Sequence, residues 1–115
     1  MLQIPVAKVA VLAATFAFDR PYTYKIPQPL AATLRPGCRV MVPFSRGNRP
    51  CEGMVLALGE AEDDPKLKPI TRQLDPEPIL SPELIRLAVW MHDRFFCTIY
   101  DALHAILPAG VWYRV

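Results

Sequence analysis

The sequence predicts an α+β fold, in which about five strands form a small antiparallel β-barrel or curled sheet and two packed C-terminal helices follow. Three observations lead to this prediction. Up to residue 75, apolar residues alternate with polar ones or form short uninterrupted runs, as they do in strands. Proline and glycine separate these runs, and 13 of the 115 residues are proline. After residue 81 the apolar residues recur at helical spacing, and strands followed by helices are typical of α+β proteins.

Five segments of the first 75 residues have the pattern of strands. They are residues 4–13, 22–26, 39–44, 51–58 and 67–74. Pro69 cannot donate a backbone hydrogen bond, so the fifth segment is predicted at a sheet edge. Gly53 indicates a bulge or a close approach of two backbones in the fourth. Residues 60–65 are predicted to form an acidic loop, and the apolar run over 9–18 is too short to span a bilayer, which takes ~20 residues.

The remaining part of the chain has two helix patterns. Ser81 is a favourable N-cap, Pro82 suits the first helical position, and Glu83 favours the positive end of the helix dipole. Thr98 and Asp101 have the spacing of a capping box, which predicts the start of a second helix. The predicted apolar faces comprise Leu84, Leu87, Ala88, Met91 and Phe95 in the first helix, and Ile99, Ala102, Leu103, Ile106 and Leu107 in the second.

Length and charge indicate one domain over residues 1–115, with a β part over 1–75 and a helical part over 81–108. A hydrophobic content of 52% is enough for a core of its own. The charge is uneven, because residues 1–59 have seven Lys and Arg against two acidic residues, whereas residues 60–115 have six against nine. A balance of +5 in the first part favours an anionic partner such as nucleic acid. A solvated surface with an uneven charge count is the alternative.

Several function classes lack support in the sequence. There is no phosphate-binding glycine loop, no serine nucleophile elbow and no H-E-x-x-H motif, so we expect no catalytic residues and no enzyme activity in this chain. Three cysteines without a C-x-x-C pair indicate buried thiols in a reducing, cytoplasmic compartment more than a zinc site. His92 and His104 are expected to be surface or interface residues, and no metal site is predicted.

A group of aromatic and basic residues remains as the candidate binding site. Aromatic faces stack on bases of any identity and cations neutralise phosphates, which together suit a single strand or a strand end. Each part has a structural alternative, since the tyrosines can belong to the core and the arginines can be solvated loop charges. The candidates are Tyr22, Tyr24, Phe44, Ser45, Arg46, Arg49 and Lys68.

The order of the motifs resembles a known family over most of the chain, from about residue 6 to residue 108. The shared pattern comprises PYTYKIP, the hairpin segment GCRVMVPF, the segment LKPITRQLDPEP and the helical DALHAILP. It is similar to the N-terminal, 3′-DNA-end-binding domain of the family of primosomal protein N-prime (PriA), the bacterial replication-restart helicase. The resemblance implies that this chain is the N-terminal fragment of a longer helicase.

The resemblance also implies a function and its residues. The domain would bind the free 3′ end of the nascent leading strand at a stalled fork, with Tyr22 stacking on the terminal base. Thr23 and Ser45 would line the pocket and Lys68 would contact phosphate or sugar. Two of these positions depart from the family pattern, because Thr23 replaces the usual aspartate and Ser45 the usual glycine.

Partners and alternatives follow from the same resemblance. The implied partners are DNA with a free 3′ end, the helicase core of the same polypeptide and other primosome proteins, with no membrane involved. ATP, magnesium and zinc are implied only for the full-length family, and the implied location is the bacterial cytoplasm, at the nucleoid. One alternative is a docking module that uses Trp90, Phe96 and Trp112, and another is a stand-alone barrel that binds single-stranded DNA or RNA.

Overall fold

A computed structural model of the chain describes residues 3–12, 20–45, 47–95 and 97–106. Within these ranges the polypeptide forms five strands and three helices. The strands are β1 (Gln3–Val11), β2 (Tyr22–Lys25), β3 (Arg39–Phe44), β4 (Arg49–Glu62) and β5 (Arg72–Gln73). The helices are α1 (Gln28–Ala31), α2 (Pro82–Arg94) and α3 (Ile99–Ile106).

The strands form one antiparallel sheet in the order β2-β1-β4-β3-β5. The long strand β4 is central, because its first part pairs with β3 and its remainder pairs with β1. The register between β1 and β4 shifts after Lys8, which leaves Leu56 as an extra residue in β4. The predicted α+β fold, with a curled antiparallel sheet followed by helices, is confirmed.

One segment of the chain links the two edges of this open sheet. The amide of Lys25 in β2 donates to the carbonyl oxygen of Lys68 at 2.9 Å, and the amide of Ile70 donates back to Lys25 at 3.0 Å. The next residue, Thr71, donates to Met41 of β3 at 2.8 Å, and β5 follows. Because residues 68–73 contact both β2 and β3, the sheet curls and its two edge regions come close together.

Each face of the sheet has its own apolar core. On the inner face, side chains from all parts of the curl meet, including Val9, Tyr24, Val40, Val55 and Ile70. On the outer face, residues of β1 and β4 pack against the two C-terminal helices; this cluster includes Ala10, Met54, Ile85, Ala88, Tyr100 and Leu103. The period-2 pattern of β1 explains both, since Val9 and Val11 point inward while Ala10 points to the helices.

Several sequence predictions differ from the observed elements. Strand β4 continues to Glu62, so the acidic residues from 60 to 62 belong to a strand and not to a loop. Only Arg72 and Gln73 of the fifth predicted segment form a ladder, with β3, whereas Pro69 forms an isolated bridge with Lys25 of β2. The one-turn helix α1, which begins after Pro27, was not predicted, and the end of the first predicted strand lies outside the described residues.

The two C-terminal helices begin where the sequence predicts. The Ser81 hydroxyl accepts from the amide of Leu84 at 3.3 Å, and the Thr98 hydroxyl accepts from that of Asp101 at 3.0 Å. The apolar face predicted for α2 is wrong in part. Ile85, which the predicted face leaves out, and Ala88 are buried in the outer core, whereas Leu84, Leu87 and Phe95 are exposed, so the buried face is displaced from the predicted one.

A buried polar cluster connects the sheet to the helical layer. Arg39 of β3 donates from Nε and Nη2 to the two carboxylate oxygens of Asp75, at 3.0 and 2.9 Å. Both residues are buried, and this hydrogen bond to Asp75 is the main reason that the pKa of Arg39 is raised. Tyr100 of α3 donates to Glu52 of β4, and burial first, then this bond, raises the pKa of Tyr100.

Candidate nucleic-acid interface

The candidate site lies beside the outer edge of β2. In a strand, the N–H and C=O groups of one residue point to the neighbour on one side of the strand, and those of the next residue point to the opposite side. The Ile26 amide donates to Pro5 of β1, whereas both backbone groups of Lys25 bond residues 68–70 on the opposite side. Thr23 has the same parity as Lys25, so its N–H and C=O also point away from β1. The backbone of Thr23 therefore offers one donor and one acceptor at this edge.

A concavity of about 330 Å³ lies against this edge. Three segments that are distant in the sequence meet around it: β2, the end of β3 with the turn after it, and the stretch before residue 69. Its lining residues are Tyr22, Thr23, Tyr24, Phe44, Ser45, Lys66 and Lys68. We call this group of residues the edge site. Its lining contains two lysines and no carboxylate.

The aromatic wall of the edge site consists of Tyr22 and Phe44. Their ring centroids lie 5.2 Å apart with an interplanar angle of 86°, so the contact is edge-to-face. The guanidinium of Arg20 lies 5.4 Å from the centroid of the Tyr22 ring. Tyr22 is only half-buried, so part of this ring surface is accessible to a ligand.

Tyr24 faces the same way as Tyr22 but belongs to the core. It is 4% exposed, and its hydroxyl donates to the carbonyl oxygen of Pro43 at 2.8 Å. Burial, with smaller contributions from Cys51 and Tyr22, raises the pKa of Tyr24 to about 12. The alternative that at least one of the two tyrosines is a core residue is confirmed for Tyr24, which supports the floor of the site.

The turn between β3 and β4 is held across the edge site by a lysine. The carbonyl oxygen of Ser45 accepts from the amide of Asn48 at 3.1 Å and from Lys68 Nζ at 2.8 Å. Ser45 and Asn48 have φ values of 66° and 49°, in the left-handed region that favours glycine. Glycine at position 45, which the family usually has, would take this conformation without steric cost.

The structure brings six of the eight predicted site residues together and leaves Arg49 apart. The six are Tyr22, Thr23, Tyr24, Phe44, Ser45 and Lys68. Arg49 is exposed at the start of β4 and does not line the edge site. Arg46 lies outside the described residues.

Sequence reasoning missed three cations near the site. Lys66 lines it, two residues before Lys68, and this spacing was a signal that could have been used. Lys8 donates from Nζ to the Thr23 hydroxyl at 2.8 Å, on the opposite face of β2 from Tyr22. Only the strand register reveals Lys8, and only the placement of Tyr22 reveals Arg20.

Other kinds of site find no support in the described part of the chain. No group of three or more His, Cys, Asp or Glu side chains there is arranged to hold a metal ion. Cys38 is buried, and burial raises the pKa of its thiol, whereas Cys51 and Cys97 are half-buried. Among the same residues, no helix is long and apolar enough to cross a membrane.

An exposed sheet edge with aromatic rings and lysines is typical of small nucleic-acid-binding domains. The family model of the 3′DNA-binding domain (3′BD) of PriA matches residues 8–108, and the chain belongs to this family. Replication restart protein PriA of Bacillus subtilis (strain 168) is 39% identical over 107 residues, which cover 91% of this chain. The chain spans 13% of the length of that relative.

Proposed function

We propose that this chain binds the free 3′ end of a DNA strand and holds the terminal nucleotide in the edge site. In the complete protein, this strand would be the nascent leading strand at a stalled fork, bound during replication restart. The observation that supports the proposal best is the composition of the edge site. Three distant segments place an accessible aromatic wall, two lysines and the backbone of an edge strand around one concavity without a carboxylate.

Each part of the edge site has a role in this proposal. The accessible surface of Tyr22 stacks on the terminal base, with Phe44 at its edge. The N–H and C=O of Thr23 meet the hydrogen-bonding edge of the base. Every base has a neighbouring donor and acceptor on that edge, so backbone contacts discriminate weakly among the four. Lys66 and Lys68 supply positive charge for phosphate and sugar oxygens.

The edge site suits the end of a strand better than its middle. The bond between Lys68 Nζ and the Ser45 carbonyl connects the two sides of the concavity. In this proposal a strand enters over Tyr22, and this connection is the barrier at which its last nucleotide stops. The family description, a 3′DNA-binding domain, supports the 3′ end as the one that is bound.

The proposal is tested by titrating the chain with a fluorescent dodecamer whose ends are modified one at a time. A 3′-phosphate should weaken binding by at least tenfold, because the barrier leaves no room beyond the terminal sugar. A 5′-phosphate is the matched control and should change the affinity less than twofold. Equal affinities for the two modified strands would contradict 3′-end binding.

Lys68 provides a test that depends on the site itself. Lys68→Glu reverses a charge in the edge site and breaks the bond to Ser45, so the affinity for the free dodecamer should fall at least tenfold. Arg72→Glu is a matched control, since Arg72 is exposed in the same part of the chain but does not line the site. Thermal unfolding shows whether both variants remain folded. Equal losses for the two variants would argue against the assigned role of Lys68.

The proposed function needs neither catalysis nor a cofactor in this chain. ATP, magnesium and zinc belong, in this proposal, to the helicase core and other parts of the full-length protein. A chelator should therefore leave the affinity for the dodecamer unchanged. An RNA dodecamer of the same sequence tests the alternative of a general single-strand-binding barrel, which would bind both nucleic acids equally.

A second role, docking on the helicase core of the same polypeptide, is favoured by helix α2. Leu84, Leu87, Trp90 and Phe95 are exposed on it, with exposed fractions from 37% to 58%. Adjacent exposed apolar side chains of this size are typical of protein contact surfaces. The occupant we propose is the remainder of PriA, since this chain spans only 13% of its relative. Phe96 and Trp112, which the sequence also suggested, lie outside the described residues.

The docking role predicts a selective loss of binding to the separately expressed remainder of PriA. Leu87→Glu places a charge on the apolar face of α2 and should weaken that association at least tenfold while leaving DNA affinity unchanged. Leu58→Glu is the control, because Leu58 is equally exposed but lies in β4. Undiminished association of the Leu87 variant would contradict the docking role.

A further inference from the structure

We propose that Arg20 binds a phosphate of the DNA strand as it leaves the edge site, so that the strand runs out over the Tyr22 end of β2. The inference rests on the proposed function and adds to it the path of the bound strand. It follows from the unequal charge at the two ends of β2, which we call the basic end and the acidic end.

The basic end comprises Arg20, Tyr22 and the adjacent base of the hairpin with Arg49. Arg20 is exposed, and its guanidinium lies over the Tyr22 ring. Among the residues that the structure describes, no carboxylate is within ion-pair distance of Arg20. Phe44 packs on Tyr22 and pairs with Arg49, which places a second exposed arginine at this end.

The acidic end comprises Lys25 and the carboxylates around it. Lys25 forms an ion pair with Asp63 at 2.9 Å, so its charge is already neutralised. The last residues of β4, with Glu60 and Glu62, pair with the start of β1 at the same end of the sheet. The carboxylate of Asp64 accepts from the amide of Lys66 at 2.8 Å. Phosphates that passed this end would be repelled by several negative charges.

Arg20 is well placed for a phosphate next to a stacked base. The donor N–H groups of a guanidinium point outward in its plane, so its face can contact an aromatic ring while its edge binds phosphate oxygens. Because the guanidinium lies 5.4 Å from the centroid of the Tyr22 ring, a nucleotide that stacks on this ring would have its backbone within reach of Arg20. At the acidic end, by contrast, the ammonium of Lys25 in β2 is already paired with Asp63.

The experiment combines protein variants with neutral linkages in the DNA. Binding of the chain to a free 3′-OH dodecamer is compared with binding to the same strand whose three 3′-terminal linkages are uncharged methylphosphonates. Arg20→Gln should weaken binding of the normal strand about fivefold and that of the modified strand less than twofold. For Arg20→Gln on the normal strand, the slope of log affinity against log salt should decrease in magnitude by about 0.7, the value for one phosphate contact in single strands.

Two further variants complete the test. Arg20→Lys retains the charge but lacks the planar guanidinium, so it should bind the normal strand more weakly than the wild type and more tightly than Arg20→Gln. Arg86→Gln removes an exposed arginine from α2 and should change neither affinity. An equal loss on both strands, or no loss on either, for Arg20→Gln would overturn the strand path. Loss of the preference for a free 3′ end in the wild type would instead overturn the proposed function, so the two failures are distinguishable.

Discussion

Two tyrosines on β2 show how the environment of single residues separates structure from function. Tyr22 and Tyr24 point to the same face, as the period of a strand requires. Tyr22 lies at the mouth of the curl, where its ring is half-buried and contacts Arg20 and Phe44. Tyr24 lies two residues further along β2, opposite Ala7, and its hydroxyl donates to the carbonyl oxygen of Pro43. Only the first has surface available for a ligand.

The buried hydroxyl of Tyr24 predicts an alkaline limit to stability. Its pKa is raised from 10.0 to about 12, so between these values the unfolded chain has lost the proton that the folded chain retains. Stability should therefore fall as pH rises through this window, by at most about 1.4 kcal/mol per pH unit for this proton. Urea unfolding of the wild type and of Tyr24→Phe at pH 9 to 11.5 measures the difference. A slope as steep in the variant as in the wild type would contradict the assignment to Tyr24.

At the scale of elements, the central pairing of β4 with β1 depends on one glycine. A Cβ added to Gly53 would lie 2.5 Å from Val9 Cγ1 and 3.0 Å from the carbonyl oxygen of Ala10. Gly53→Ala should therefore destabilise the domain by about 1–3 kcal/mol, the usual cost of overpacking. Gly59→Ala in the same strand is the matched control, since a Cβ there meets nothing within 4 Å. Equal unfolding midpoints for the two variants would contradict this prediction, because they would show that β4 moves away from β1 at no cost to accommodate the added methyl group.

The connection between the sheet and the helical layer depends on the ion pair of Arg39 and Asp75. Asp75→Asn would remove the bidentate partner of a buried guanidinium and leave it with the more distant Glu52, at 3.9 Å, so unfolding should become easier by about 3 kcal/mol. Glu83→Gln removes the exposed partner of Arg86 and should leave the unfolding midpoint almost unchanged, because exposed ion pairs contribute little to stability. Denaturant titration measures both. A loss below 1 kcal/mol for Asp75→Asn would mean that water reaches Arg39.

Local patterns predicted the elements better than their contacts. The caps at Ser81 and Thr98 and the bounds of β3 depend on neighbouring residues, so the sequence was sufficient for them. The close approach at Gly53 was predicted as one of two options, and the register shift lies elsewhere, opposite Leu56. The pairing of Arg39 with Asp75 spans 36 residues and depends on how the sheet curls, which no local pattern shows.

The candidate site was predictable to the extent that its residues are aromatic or basic or match a family pattern. Tyr22, Phe44 and Lys68 are candidates from their aromatic and basic chemistry alone, whereas Thr23 is a candidate only through the family pattern, and the role of all four in DNA binding stays a prediction. Lys66 and Arg20 are outside the family motifs: Lys66 comes to the site because residues 68–70 bond to β2, and Arg20 because it lies over the Tyr22 ring. The side of α2 that meets the core also depends on contacts between distant segments, so helical periodicity alone misassigned Leu84 and Leu87.

For the whole molecule, the uneven charge predicts how DNA binding depends on salt. The net charge of +2 is small, but Arg20, Lys66 and Lys68 lie together at the edge site. Three phosphate contacts on a single strand give a slope of log affinity against log salt of about −2. Affinity for the free dodecamer should then fall roughly 15-fold between 50 and 200 mM salt. Glu62→Gln raises the net charge at the acidic end and should leave this slope unchanged, because the proposed path of the strand avoids this end. A slope near zero would mean that the edge site binds bases without phosphates, and a steeper slope in the Glu62 variant would place DNA at the acidic end.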